Sequence, residues 1–195
     1  MFTGIIETMA TLVAKDNEGS NIHFWFSSDI LKELKIDQSV AHNGVCLTVV
    51  DILTDRYKVT AIAETLNRTN LGGIEIGNLV NLERCMPSNG RFDGHIVQGH
   101  VDDVATCQTV EDMNGSWSYV FKLADDKQQK LIVQKGSICI NGVSLTVVDC
   151  EQDWFSVAII PYTHEHTNFI FIQRNSKVNI EFDIVGKYIL KHLEK

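Results

Sequence analysis

Cys46 and Ser144 occupy the same place in two nearly identical stretches: residues 39–51 read SVAHNGVCLTVVD and residues 137–149 read SICINGVSLTVVD. A thiol and a hydroxyl are both potential nucleophiles, and each needs a base or an ion partner to become reactive. Histidine supplies such a partner near neutral pH. His100 stands where an earlier counterpart has Ile5, in Gly99-His100-Val101-Asp102 against Gly4-Ile5-Ile6-Glu7, and His95 and Gln98 make its neighbourhood polar. Thr48 and Thr146 recur two residues after the thiol and the hydroxyl, and Thr65 and Thr163 recur further on. Paired hydroxyls of this kind suit a neutral, hydrogen-bonding ligand bound once per repeat. Each residue also has a plain structural reading: cysteine packs as a small hydrophobe and threonine favours strands. Cys46, Ser144 and His100 stand out because they differ in chemistry inside an otherwise retained frame, as an asymmetric task requires.

Other chemistries find no support. The chain has no GxxxxGK[ST] phosphate loop, no GxGxxG after a strand, no HExxH and no GxSxG. Its formal charge of −8 opposes the field that a nucleic-acid binder needs. Five cysteines, Cys46, Cys85, Cys107, Cys139 and Cys150, show no metal-ligand spacing and read as reduced thiols, so no metal is expected. No apolar run is long enough for a membrane span, and the start lacks the basic-then-apolar pattern of a signal peptide, which makes a cytoplasmic location the expectation.

What must position these side chains is a duplicated unit. The two thirteen-residue stretches share nine identities at an offset of 98. The same offset maps Val80-Asn81-Leu82-Glu83 onto Val178-Asn179-Ile180-Glu181, and Thr65, Thr69 and Asn70 onto Thr163, Thr167 and Asn168. The Gly4 and Gly99 segments are related at an offset of 95, so a boundary falls near residues 88–97, a glycine-containing polar stretch read as a linker. Residues 1–97 and 98–195 each carry −4. Within each unit, short β-branched or aromatic segments (22–26, 47–50, 57–61, 118–123 and 154–160) predict strands, about six per unit, which fits a small barrel. Asn43-Gly44 and Asn141-Gly142 predict tight hairpins. One short helix per unit is predicted, after a Ser28 cap and from Asp125-Asp126. Ile184, Val185, Tyr188, Ile189, His192 and Leu193 form a stripe at helical spacing with no counterpart in the first unit. A helix this short needs a packing partner, either its own barrel or another copy of the chain.

The opening Met1-Phe2-Thr3-Gly4-Ile5-Ile6-Glu7, the Asn43-to-Thr48 block, Glu64-Thr65-Leu66 with Thr69-Asn70-Leu71-Gly72, Val80-Asn81-Leu82-Glu83, Gly94-His95-Ile96-Val97-Gln98-Gly99-His100-Val101-Asp102, Gly142-to-Thr146 and Val178-to-Asp183 resemble the riboflavin synthase family, alpha-chain type. The resemblance spans essentially the whole chain. It implies an all-β fold of two tandem six-stranded Greek-key barrels, residues 1–97 and 98–183, plus a C-terminal α-helix, 184–195, that assembles a homotrimer with active sites between neighbouring chains. It implies no cofactor, and a transferase reaction: two 6,7-dimethyl-8-ribityllumazine molecules dismutate, one donating a four-carbon unit, to riboflavin and 5-amino-6-ribitylaminouracil. Carried over by residue, the first lumazine site takes Gly4, Ile5 and Ile6 with Phe2 and Thr3 at its rim, Cys46, Leu47, Thr48, Thr60, Ala61, Ile62, Ala63, Glu64 and Thr65. The second takes Gly99, His100, Val101, Lys135, Ser144, Leu145, Thr146, Ile159, Ile160, Pro161, Tyr162, Thr163, His164 and Asp183. His100 is the expected base, Ser144 or a water it positions the nucleophile, and Thr146, Cys46 and Thr48 the assisting groups.

Related lumazine proteins of luminous bacteria have the same tandem barrel but hold one fluorescent ligand without catalysis, which leaves an antenna-type binder as the alternative. Cys46, His100, Ser144 and Thr146 are all present here, favouring the enzyme. A lumazine synthase is a further candidate partner. Asp93, Asp103 and Ser176 stand where the family commonly has glycine, and Tyr162-Thr163-His164 varies a site segment; Asp103 is expected to affect site electrostatics and the others turns.

Overall fold

The computed structural model describes residues 1–193 and consists of two closed six-stranded antiparallel barrels followed by one helix. The first barrel contains β1 (Thr8–Glu18), β2 (Asn21–Ser27), β3 (Ser39–His42), β4 (Val45–Ile52), β5 (Tyr57–Ala61) and β6 (Leu79–Arg84), arranged β1-β2-β5-β4-β3-β6. The second repeats that order with β7 (Asp103–Asp112), β8 (Trp117–Lys122), β9 (Ser137–Ile140), β10 (Val143–Cys150), β11 (Phe155–Ile159) and β12 (Lys177–Phe182). The all-β tandem-barrel fold is therefore as expected from the sequence. Bulges fall at counterpart positions, Leu12/Ala14 with Cys107/Thr109 and Val49/Asp51 with Val147/Asp149. They supply the local twist that lets so few strands close.

Alternation decides what faces inward. In β4, Val45, Leu47 and Val49 are buried while Thr48 and Val50 are exposed. Phe24, Phe26, Tyr57 and Val59 fill the first barrel, and Tyr119, Phe121, Phe155 and Val157 the second. Interiors packed with aromatic and branched side chains have no room for a ligand. Small-molecule chemistry is thereby confined to the outer faces.

The predicted hairpins form at Asn43-Gly44 (φ 47° and 77°) and Asn141-Gly142 (φ 47° and 83°). Gly44 and Gly142 also press against each other: a Cβ on Gly44 would stand 2.7 Å from the Gly142 nitrogen. Around this contact a symmetric set of asparagines joins the barrels. Asn81 Nδ2 donates to the Asn141 carbonyl and Asn179 Nδ2 to the Asn43 carbonyl, each at 2.9 Å, and the Asn168 and Asn70 backbone N–H groups donate to Asn81 and Asn179 at 2.7 Å. The repeated asparagines are thus framework between the barrels.

The helices differ from expectation. Residues 31–33 and 126–131 form only 3-10 turns; Ser28 makes no side-chain cap, although Asp125 does accept from the Lys127 N–H at 3.0 Å. The α-helix of each unit is instead α1 (Ala63–Arg68) or α2 (Pro161–His166), each six residues long and started by an extended isoleucine without a polar cap. Helix α3 (Ile184–Leu193) is tethered by Lys187 Nζ to Asp102 at 2.6 Å and capped by Asp183 Oδ1, which accepts from the Val185 N–H at 2.9 Å. None of its described residues is buried, so its stripe does not pack into its own barrel; residues 194–195 lie outside the described residues. No helix among the described residues is long and apolar enough to cross a membrane.

Candidate active site

The duplication places two segments on its pseudo-two-fold axis. Phe2 and Val97, counterparts at the offset of 95, pair with each other: the Phe2 N–H donates to the Val97 carbonyl at 2.7 Å, and Val97 returns the bond at 3.1 Å. The stretch read as a linker therefore runs back along the chain's first residues. Past this crossing each segment reaches the other barrel. The Gly4 carbonyl accepts from the Ser144 N–H at 2.8 Å, and the Gly99 carbonyl accepts from the Cys46 N–H at 2.9 Å. The sequence grouping of Gly4–Ile6 with Cys46 and of Gly99–Val101 with Ser144 is accordingly exchanged in space, because an offset identifies equivalent positions but not the barrel on which a segment packs. The approach is close enough to require glycine. A Cβ on Gly4 or Gly99, both at positive φ, would lie 2.6 Å from the Ser144 or Cys46 Cβ.

At the second barrel, outward-facing Ser144 bonds its hydroxyl to His95 Nδ1 at 2.7 Å, and the His95 N–H donates to the Thr3 carbonyl at 3.1 Å. Burial pulls the His95 pKa down, opposed by the negative charge of Asp183. The neutral ring is then available to accept the serine proton. His95 Nε2 is buried and has no protein partner, leaving one polar atom for a ligand or a water. Sequence reasoning treated His95 only as a polar neighbour; the signal was the Gly94-His95 pair within the supposed linker. Thr146 is exposed on the same face, and the Lys135 N–H donates to the Val147 carbonyl at 2.9 Å, placing Lys135 at this barrel.

The first barrel presents a different set. Cys46 is half-buried on the outer face; burial pushes its thiol pKa up, a bond from Ser39 lowers it, and Cys85 raises it again. Thr48 and His100 are exposed, and the His100 N–H donates to Glu181 at 2.9 Å. Thr60 hydrogen-bonds His23 Nδ1 at 2.8 Å. Ile62, Ala63, Glu64 and Thr65 follow β5 into α1, as Ile160, Pro161, Tyr162, Thr163 and His164 follow β11 into α2. His164 lies flat on Trp117 at 3.9 Å and Tyr162 on His166 at 4.1 Å, giving the second segment aromatic surfaces.

Several expected contact residues have their side chains elsewhere. Phe2, at 0% exposure, belongs to a buried cluster with Ala41, Val97 and Cys139 rather than to a rim. Thr3 donates its hydroxyl to Glu83 at 2.7 Å. Leu47, Ala61 and Ile159 point into the cores, so only their backbone is available to a ligand, while Leu145 is half-buried against the second core. Ile5 is exposed and Ile6 and Val101 pack partly on the barrels. Asp183 caps α3 and acts on His95 through its charge. Asp103 accepts from the Val104 N–H at 2.8 Å and the Asp125 N–H at 3.1 Å, which makes it a local fastener at the start of β7. Asp93 pairs with Arg91 at the surface, and Ser176 accepts from the Gln173 N–H in a turn. A cleft of about 460 Å³ lined by Thr3, Ile5, Gln38, Glu83, Arg84 and Asp93 among others runs beside the crossing. Among the described residues no cluster of His, Cys, Asp or Glu has a metal-binding arrangement.

Similarity to known proteins follows the same lines. The lumazine binding domain model matches twice, at residues 3–85 and 98–183. Riboflavin synthases of Bacillus subtilis (strain 168) and Actinobacillus pleuropneumoniae are each 40% identical over 196 residues, spanning all of this chain and 91% of theirs. Among solved structures, LumP complexed with riboflavin superposes with a TM-score of 0.86 at 25% identity, over 93% of this chain and 99% of that one. Two matches of the domain and full-length likeness to the synthases place this chain in the tandem lumazine-binding-domain family of riboflavin synthases.

Proposed function

We propose that the protein acts as a riboflavin synthase, a transferase that dismutates two molecules of 6,7-dimethyl-8-ribityllumazine to riboflavin and 5-amino-6-ribitylaminouracil. The observation that carries this reading is the unlike pair of outer-face sites: Ser144 on a neutral, half-buried His95 in one, and Cys46 held as a thiol in the other. Two copies of one substrate call for two related sites, and unequal roles for donor and acceptor call for their difference. The two products together contain all the atoms of two substrates, so no oxidant or reductant is consumed.

In this mechanism the Ser144 oxygen, or a water it holds, adds to one lumazine while His95 takes its proton. His100 assists loss of a proton from the 7-methyl group of the other, with Cys46, Thr48 and Thr146 ordering the ligands. Face-to-face stacking of the heterocycles contributes proximity, worth several kcal/mol of barrier. The exposed positions of Thr48 and Thr146 fit half-sites completed by a neighbouring chain, and the uncovered α3 stripe fits assembly of a cytoplasmic homotrimer, with a lumazine synthase as its supplier partner. Incubating the protein with the lumazine tests the reading: one riboflavin is expected per two lumazines consumed. Bound, unconverted lumazine would instead favour an antenna-type binder, the reading that likeness to LumP supports.

A further inference from the structure

Glu83 and Glu181 are counterparts, and both carboxylates are almost wholly buried, at 5% and 2% exposure. Each is hydrogen-bonded chiefly by the backbone of a segment on the pseudo-two-fold axis, and the Lys187 charge adds to this at Glu181. Glu83, on β6, accepts from the Thr3 N–H at 2.6 Å, the Thr3 hydroxyl at 2.7 Å and the Gly4 N–H at 2.9 Å. Glu181, on β12, accepts from the Gln98 N–H at 2.7 Å and from the Gly99 and His100 N–H groups at 2.9 Å. The same segments then cross over. Gly4 and Thr3 offer their carbonyls to Ser144 and His95 of the second site, and Gly99 offers its own to Cys46 of the first.

We propose that these glutamates are positioning residues wired crosswise: Glu83 of the first barrel sets the Ser144–His95 site of the second, and Glu181 of the second barrel sets the Cys46 site of the first. A buried carboxylate persists only where several donors converge on it, so its loss frees the donors as well as the charge. Burial pushes both carboxyl pKa values up; the bonds from these segments, joined at Glu181 by the charge of Lys187, pull them back down, so the ionised forms depend in large part on the segments staying in place. Cys139 lies within the field of both carboxylates, and burial together with that field raises its pKa well above normal. Its counterpart is Ala41, so the centre between the sites is not symmetric. The consequence for turnover rests on the proposed dismutation, but the wiring can be read at the sites themselves.

The test uses the full-length protein, with iodoacetamide labelling of Cys46 followed by peptide mass spectrometry and the His95 ring followed by NMR across pH. Glu181→Gln and Glu181→Asp are both expected to speed Cys46 labelling about fivefold as the covering segment loosens and the thiolate becomes accessible, with His95 unchanged. Aspartate keeps the charge but cannot reach all three donors, which separates positioning from electrostatics. Glu83→Gln, and Thr3→Val as a milder variant, are expected to raise the His95 midpoint by admitting water while leaving Cys46 labelling at the unmodified rate. Perturbation of each glutamate's own barrel, equal effects at both sites, or a wild-type Cys46 rate in Glu181→Asp would overturn the proposal. Crossed effects without riboflavin formation would uphold the wiring and sink only the dismutation.

Discussion

At the residue scale, the proposed function turns on what burial does to a few titratable groups. His95 is kept neutral by its surroundings and faces a serine hydroxyl, so His95→Gln is expected to lower kcat by about 100-fold or more, the usual size of a general-base contribution, while the protein stays folded. Steady-state turnover of the lumazine measures this, and a wild-type kcat would remove His95 from the mechanism. His42 shows the same physics without catalysis. It is fully buried between the Val40 carbonyl and the Tyr57 hydroxyl, and burial lowers its pKa to about 4. The unfolded chain binds a proton here below about pH 6.5 and the folded chain does not until about pH 4, so this group's stabilisation is complete above pH 6.5 and is lost as pH falls through that window. Glu83 and Glu181, whose pKa values are raised, contribute the opposite slope. The His42 ring resonance is therefore expected to stay unmoved from pH 8 to about pH 5; a midpoint near 6.5 would contradict its burial. The Cys46/Ser144 asymmetry was legible because the repeat makes each copy a control for the other. The His95–Ser144 bond was not, since nothing in sequence spacing shows that the segment around His95 and Val97 returns along Phe2 and Thr3, ahead of β1.

At the element scale, the strands and hairpins were legible from alternation and from Asn-Gly pairs, whose positive φ the turns require. The helices were not. Ile62 and Ile160 open α1 and α2 in extended conformation without a side-chain cap, and six residues are too few to show periodicity. Pro161 at the first turn of α2 was the one usable sign, and the first unit lacks it. The asparagine network was visible as repeated letters but not as an interface, because its partners lie up to 136 residues apart. Asn81→Leu would leave the Asn141 carbonyl and the Asn168 backbone N–H without their Asn81 partner in a buried contact, and would strip Asn168 Oδ1 of its shorter bond. A loss of about 2 to 5 kcal/mol is expected, read from urea denaturation midpoints, and a change below about 0.5 kcal/mol would show that the network adds little.

At the scale of the whole molecule, the barrels are filled and the outer sites open, and in the proposed function a neighbouring chain supplies the second surface that encloses the ligand. Val185, Tyr188 and Ile189 are exposed by 53%, 72% and 56% on α3, while Lys187 ties the helix's polar side to its own barrel. Tyr188→Asp with Ile189→Asp is expected to give monomers by sedimentation, with unchanged far-UV circular dichroism and most activity lost; active monomers would show that one chain suffices. In the proposed dismutation the Cys46 half-site of one chain works with the Ser144 half-site of another. Subunit mixing tests it most directly: Cys46→Ala and Ser144→Ala proteins, each inactive alone, are dissociated, combined and reassembled, then supplied with the lumazine. Riboflavin formation is predicted to return in the mixture, because some neighbouring chains then pair an intact Cys46 face with an intact Ser144 face. A verified mixed assembly that stays as inactive as its parents would contradict the account.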